Sequence, residues 1–316
     1  MSFLCKGRGM KQIFISIASY RDPECQWTVK DLFAKAKYPE RIFVGICWQF
    51  IEAEDKAYFQ VETRPEQVRR VDFDALESKG ASWAKVQAMS LWQGEEYILN
   101  IDSHMRFAQG WDEKMIDMLA MCPSKKSILS TYPAQYTPPN QLDDSTPQLV
   151  AKEFSEVSRV LHFRSYKRTL SEPKLNAFIA GGFIFARSEL FQEVPWDPNI
   201  YFYGEEITFA LRAWSRGWDV YTPHICLIYH YYLRKESAKH SRDHKQWYEL
   251  EKSSNQRVLH LVGTDIIGGI ELEPCYSLGN QRDLASYQVF SGVNFKALTF
   301  TKEASLGNVN LLNSFT

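Results

Sequence analysis

Two hydrophobic periods alternate along the first hundred residues. Ile13 to Ser19 is a nearly unbroken apolar run, the pattern of a strand buried on both faces. Asp22 followed by Pro23 then offers an N-cap with proline at the first helical position. Val29, Leu32, Phe33 and Ala36 recur at i, i+3, i+4 and i+7, one face of a helix that Pro39 ends. Arg41 to Gln49 makes the next strand, and this order predicts a parallel pair with a right-handed crossover. A charged stretch from Glu52 to Arg70 leads to a short strand marked by Val71 and Phe73. Gly80 precedes a helix from Ser82 to about Gln93, with Ala84, Ala88 and Leu91 on one face, and Tyr97 to Ile101 is a strand running into Asp102-Ser103-His104. Together these elements predict half of a doubly wound α/β sheet. Ligands on such sheets sit at the carboxyl ends of the strands, where Asp102 and His104 lie.

Beyond Trp111 a short helix leads to a strand over Ser127 to Thr131, and then the pattern breaks. Pro133 to Pro147 holds four prolines among polar residues and reads as a loop, with polar segments continuing to Asn176, the natural place for acceptor recognition. Phe178 to Phe185 returns to an apolar strand containing Gly181 and Gly182, which mark either a bulge or a close backbone approach to a ligand. Ile207, Ala210, Leu211 and Trp214 give a helical face opened by Glu205 and Glu206 and closed by Gly217. Strand-like runs follow at Trp218 to Tyr221 and Ile225 to His230; Tyr231 to Arg257 is charged, and Tyr276 to Phe295 reads as a small helical appendage.

Composition narrows the field mainly by exclusion. The chain has 316 residues, 45% hydrophobic and 24% charged, and its net charge of -1 supplies no global field for nucleic acid or an anionic membrane. Any anionic substrate must therefore be held locally. Aromatic residues reach 14%, which mildly favours carbohydrate or nucleotide chemistry, although packing in a bulky core accounts for most of them more readily. The six cysteines (Cys5, Cys25, Cys47, Cys122, Cys226, Cys275) show neither a zinc spacing nor a disulfide framework. Lys6, Arg8 and Lys11 precede a run too short for a membrane span, so the expectation is a cytoplasmic protein with no membrane partner.

The chemistry gathers around the triplet. Residues two apart on an extended chain point the same way, so Asp102 and His104 can share one ion while Ser103 faces elsewhere. Glu205, Glu206 and the late His230 extend this to a site for a metal and a negatively charged substrate. Arg234 and Lys235, just after His230, are candidate diphosphate contacts, with ordinary surface charge an equal alternative. His224 reads more readily as an ordinary core or surface histidine than as a ligand. His240 and His244, spaced i, i+4, could chelate a metal, although a solvated helix that closes over the site fits better.

Three stretches carry a resemblance. Ile13 to Cys25, Asn100 to Phe107 with Gly110-Trp111-Asp112, and Gly204-Glu205-Glu206 with Arg212-Ala213-Trp214 resemble the GlcNAc-transferase family of cytoplasmic enzymes, over about Lys11 to Phe295. Eukaryotic members of that family attach N-acetylglucosamine to a hydroxyproline on an adaptor subunit of SCF ubiquitin ligases. The family is similar in turn to the polypeptide N-acetylgalactosaminyltransferases, which share the Asp-X-His triplet and the Glu205-to-Arg212 spacing. The resemblance implies a GT-A fold, α/β and Rossmann-like, with a mixed, mostly parallel sheet flanked by helices. It would occupy 1–270, with a nucleotide-binding half near 11–110, an acceptor-binding half near 111–235, and a C-terminal appendage at 271–316. It further implies a UDP-sugar donor (UDP-GlcNAc), Mn²⁺ or Mg²⁺ on Asp102, His104 and His230, and transfer with retention to a protein or glycan hydroxyl. Ala18, Ser19, Tyr20 and Arg21 would sit beside uridine. Lys85 would approach the nucleotide where the family tends to have arginine, a departure that removes a bidentate contact. Ser103, Gly181, Gly182 and Arg234 complete the donor-binding set, with Glu205 on the donor-sugar hydroxyls and Glu206 on the acceptor side. Two other readings of the same residues are a metal-dependent nucleotide-sugar hydrolase or pyrophosphatase and a non-catalytic sugar-binding protein.

Overall fold

The computed structural model describes residues 11–58, 60–143, 145–234 and 236–311; Cys5, Lys6, Arg8 and Lys235 lie outside them. Its centre is an eight-stranded sheet. The strands are β1 (Ile13–Tyr20), β2 (Ile42–Phe50), β3 (Val68–Asp74), β4 (Tyr97–Asp102), β6 (Ser127–Ser130), β11 (Lys174–Asn176), β12 (Phe183–Arg187) and β13 (Asp219–Thr222), in the order β11-β13-β6-β12-β4-β1-β2-β3. β1 pairs in parallel with both β2 and β4, and β2 with β3, as the strand and helix alternation predicts. β12 is inserted antiparallel between β4 and β6, which makes the sheet mixed.

The unbroken apolar run of β1 has its reason in the two layers around it. Ile13, Ile15 and Ile17 face a cluster with Val29, Leu32 and Phe33 of α1 (Cys25–Lys35) and Trp111 and Met115 of α4 (Trp111–Met121). Phe14 points the other way, into a cluster with Phe209, Ala210 and Ala213 of α6 (Glu205–Trp214). The short α2 (Glu52–Asp55), then α3 (Ala81–Met89) and α5 (Glu189–Glu193), complete the helices of this part.

Three sequence expectations need correction. Helix α1 begins at Cys25, and Asp22 does not cap it: one carboxylate oxygen accepts the Glu24 N–H at 3.0 Å and the other is turned into the site. The proline-rich stretch is not a loop. It folds into β7 (Ala134–Thr137) and β8 (Gln141–Leu142), which join β5 (Met105–Phe107) and β14 (Ile228–His230) in a small sheet ordered β5-β14-β7-β8. The hairpin of β9 (Pro147–Phe154) and β10 (Leu161–Lys167) follows. These strands were hidden because their apolar partners come from elsewhere in the chain. Leu149 and Ala151, for example, pack with Ile207 and Tyr287. Finally, Gly181 and Gly182 precede β12 instead of lying inside it, joined to it only by a bridge from Ala180 to Phe183.

The C-terminal third is helical, with α7 (His240–Asp243) and α8 (Trp247–Leu261) in the charged stretch and α9 (Leu284–Ser291) in the expected helical appendage. Tyr287, Phe290 and Phe295 share an apolar cluster with Ile207, Leu211 and Trp214 of α6, so this segment completes the core beside the site. Among the described residues, no helix is long and apolar enough to cross a membrane.

Candidate active site

A cavity of about 820 Å³ opens at the carboxyl ends of β1 and β4. It is lined by Ala18, Tyr20, Lys85, Asp102, Ser103, His104, Gly181, Gly182, Glu205, Glu206, His230 and Arg234 of the expected set. Ser19 and Arg21 are not in the lining. Ser19 is fully buried, and the Arg21 guanidinium is bonded to Glu54, Asp55 and Asp243.

The metal-ligand candidates meet because of strand pairing. β14 runs antiparallel to β5 with His230 opposite Met105, which brings His230 beside His104 across 126 residues of sequence. The turn is pinned by Thr28 of α1, whose hydroxyl donates to the Ser103 carbonyl and accepts the Met105 N–H, both at 2.8 Å. His104 Nε2 lies 2.9 Å from His230 Nε2, and that atom lies 3.1 Å from Asp102 Oδ2. One ligand atom from each of the three falls within 4.8 Å of the other two.

Asp22, read from sequence as a helix cap, is the organiser of this cluster. Its buried Oδ2 lies 2.7 Å from His104 Nδ1 and accepts from Ser103 Oγ at 2.5 Å and Arg234 Nη1 at 2.8 Å. Ser103 therefore turns toward Asp22, away from the ligand atoms. Burial alone would raise the Asp22 carboxyl, but His104, Arg234 and Ser103 outweigh it and hold it well below the usual carboxylate range. Asp102 follows the same pattern: burial raises it, and the His230 hydrogen bond with the nearby His104 and Lys85 brings it well below. Burial lowers His104 against the opposing Asp22 contact, which favours a neutral ring. With its Nδ1 proton on Asp22, that ring offers an Nε2 lone pair to the cavity. The signal in the sequence was an aspartate just past the central strand's carboxyl end, the place where α/β sheets build sites.

The glutamates opening α6 face the same space from across the glycine pair. Glu205 accepts from Lys85 Nζ at 2.6 Å and Ser82 Oγ at 2.9 Å; Lys85 also donates to the Gly181 carbonyl at 3.0 Å. Glu206 accepts the Gly181 N–H and the Tyr132 hydroxyl, each at 2.8 Å. Burial, reinforced by the adjacent Glu205 charge, pushes Glu206 up to about 7 against these two donors. A Cβ on Gly181 would overlap the Glu205 carboxylate, and one on Gly182 the Asp102 carboxylate, so the glycines permit the close approach of the two acidic groups to the backbone. Ser82 and Tyr132, which sequence gave no reason to select, thus orient both glutamates.

The remaining candidates do not join the metal-ligand cluster, although His240 also lines the cavity. His240 Nε2 and His244 Nε2 lie 3.0 and 2.9 Å from the carbonyls of Ser78 and Ala75, their rings stacked at 3.7 Å, so they anchor α7 and do not chelate. His224 does not line the cavity. Arg212 is buried, bonded to the Pro195 carbonyl at 2.7 Å, and serves the core behind α6.

The sheet order, the inserted antiparallel β12 and the acidic site at the strand ends define a GT-A glycosyltransferase fold. A crystal structure of GalNAc-T7 with UDP, GalNAc and Mn²⁺ aligns over 89% of this chain and 54% of that one, at 13% identity and a TM-score of 0.60. The chain thus spans about half the length of that protein. S. aureus TarS 1-349 in complex with UDP-GlcNAc aligns over 76% of this chain and 64% of that one, at 14% identity and a TM-score of 0.46. No curated protein sequence matches. The family described as Glycosyltransferase (GlcNAc) matches residues 12–64 and 55–297, and the chain belongs to this GlcNAc glycosyltransferase family.

Proposed function

We propose that the chain transfers N-acetylglucosamine from UDP-GlcNAc to a hydroxyl on a protein or glycan, with retention of configuration, and that Asp102, His104 and His230 hold a divalent ion, Mn²⁺ or Mg²⁺. The observation that carries the reading is the convergence of these three residues with Arg234, Glu205 and Glu206 in one cavity at the strand ends. The donor set fits the ion. Ligands at the edge of an octahedral shell lie about 3 Å apart for bonds of 2.0–2.2 Å, and the His104 to His230 and His230 to Asp102 separations are 2.9 and 3.1 Å. One carboxylate with two imidazoles suits Mn²⁺ better than Mg²⁺. GalNAc-T7, similar in fold, was crystallised with UDP and Mn²⁺.

When bound, the ion supplies charge neutralisation for the departing diphosphate. Asp22 fixes the His104 tautomer and keeps Arg234 beside the same locus, within reach of a diphosphate oxygen. Ala18 and Tyr20 line the cavity at the end of β1, where uridine is expected, and Ser103 and the glycine pair line it as well. Lys85, tied to Glu205, acts by positioning that carboxylate for the donor sugar. Glu206, with its raised pKa, is suited to a hydroxyl contact on the acceptor side. The five described cysteines are free thiols, which suits a reducing, cytoplasmic compartment.

The test is thermal unfolding with UDP in the presence of Mn²⁺ and after chelation. A ligand that prefers the folded state raises the melting temperature, so UDP should stabilise the protein with Mn²⁺ and lose most of that effect with chelator or in His230→Ala. Undiminished stabilisation after metal removal rejects the three-ligand site. Turnover of UDP-GlcNAc that no acceptor accelerates would favour the hydrolase.

A further inference from the structure

The cavity continues past the glutamates. Contacts order its wall: Asp102 lies against Gly182, Gly181 against Glu205 and Glu206, and Phe202 and Tyr203, which also line the cavity, come just before the α6 N-terminus. Phe202 and Tyr203 are 53% and 49% exposed there. Tyr203 stacks on His162 at 5.5 Å, and Phe202 meets Tyr203 edge-on at 5.1 Å. Helix α8 adds Trp247 and Glu251 to the same lining. Its inner face is fixed by Ser254, whose hydroxyl accepts the Tyr201 N–H at 2.9 Å, and by Val258 against Gly204. Glu251, one turn before Ser254, therefore lies along the Tyr201 to Gly204 segment.

Two polar atoms at this end, His162 Nε2 and Glu251 Oε2, are enclosed without a hydrogen-bond partner in the protein. Burial pushes the Glu251 carboxyl up to about 7. His162 and Glu251 also line the cavity beside the half-exposed Phe202 and Tyr203 rings, so a ligand that brings hydroxyl groups would meet polar side chains there. Water could satisfy them but would leave the aromatic faces half bare. A pyranose does both, with its C–H face against an aromatic ring and its hydroxyls on the carboxylate and imidazole.

We infer that Tyr203, Phe202, His162 and Glu251 form an acceptor subsite for a sugar ring, so that the receiving hydroxyl belongs to a glycoside. This deepens the transferase reading and rests on it. In the transfer the acceptor oxygen bonds to the donor's anomeric carbon, the bond from that carbon to the diphosphate oxygen breaks with its electron pair going to UDP, and the acceptor proton leaves on the departing diphosphate.

The experiment measures UDP binding by calorimetry with Mn²⁺, then UDP release from UDP-GlcNAc with two sets of acceptors. One set is the methyl glycosides of glucose, galactose and N-acetylglucosamine; the other is short peptides containing Ser, Thr or hydroxyproline. A methyl glycoside should accelerate release, and Tyr203→Ala should raise its KM about tenfold or more while the Kd for UDP stays within about twofold. UDP binding with release accelerated by peptides alone, or by neither set, overturns the subsite and leaves the donor site standing, as does an unchanged glycoside KM in Tyr203→Ala. Failure of UDP to bind overturns the transferase reading and the subsite with it.

Discussion

Asp22 shows how much one side chain can do when three donors meet on a single buried oxygen. His104, Ser103 and Arg234 all converge on its Oδ2, so it sets the tautomer of a proposed metal ligand and the position of a proposed diphosphate contact together. Asp22→Asn keeps the shape but removes the charge. It should weaken Mn²⁺ binding by about 10–100-fold, the usual cost of losing such an outer partner. Electron paramagnetic resonance of free Mn²⁺ would read this, with circular dichroism as the control for folding. Glu206 gives a pH signature. Its carboxyl is raised to about 7 in the folded protein from an ordinary 4.5, so between those values the folded state holds a proton that the unfolded chain has released. This contribution to stability is complete below about 4.5 and is lost as pH rises through about 7, with a slope on the order of 1 kcal/mol per pH unit at most. Glu206→Gln should flatten that part of the curve of unfolding free energy against pH. An unchanged slope would assign the pH dependence to other groups. Glu205 differs from its neighbour in being paired with the buried Lys85.

At the scale of elements, the site depends on where helices and strands begin and end. Helix α6 is preceded by Gly204, whose φ of 91° is left-handed and whose missing side chain makes room for Val258 of α8. That contact holds both first-turn glutamates at the cavity wall. Gly204→Ala combines an unfavourable backbone conformation with overpacking against Val258, and should cost about 1–3 kcal/mol. Chemical denaturation would measure it, and activity should fall with it because Glu205 and Glu206 move with the helix start. At its other end α6 closes as its sequence indicates, with Gly217 at a φ of 82° and the Trp218 N–H returning 3.0 Å to the Ala213 carbonyl. The difference between α6 and α1 is instructive. Asp22-Pro23 has the form of a helix start, but the aspartate gains more from a histidine, a serine and an arginine than from free backbone N–H groups, and the helix begins at Cys25 without a side-chain cap.

The whole molecule is closed by its C-terminal third. Tyr287 is buried under the α6 face with its hydroxyl donating 2.7 Å to the Ala177 carbonyl, close in sequence to the Gly181-Gly182 pair. Tyr287→Ala should cost about 3–5 kcal/mol, the range for a large aromatic removed from a core. If this segment folds with the rest, heat or denaturant should unfold the variant in one transition at a lower midpoint, read at both far and near ultraviolet wavelengths. Two separate transitions would mean that the segment from 271 is an independent unit.

The sequence by itself determined the elements whose periodicity is local: β1 through β4 with helices α1 and α3 between them, helix α6, and the location of Asp102 and His104 at a strand end. An unbroken apolar run or an i, i+3, i+4, i+7 face needs no distant partner to be recognised, because it is the imprint of burial on a regular backbone. Only the tertiary structure decided the rest. In the Pro133 to Asn176 region, β9 and β10 formed because their apolar residues find cover on α6 and α9, and β7 because it pairs with β14. Asp22 became part of the site because β1 pairs with β4, and His230 came to His104 because β14 pairs with β5. Ser19 and Arg21, next to two residues that do line the cavity, turned away from it, one into the core and one onto a set of carboxylates. The physical reason is the same in each case: a strand's side chains alternate in direction, and which face meets a cavity is fixed by the partners across the sheet, which sequence order does not specify.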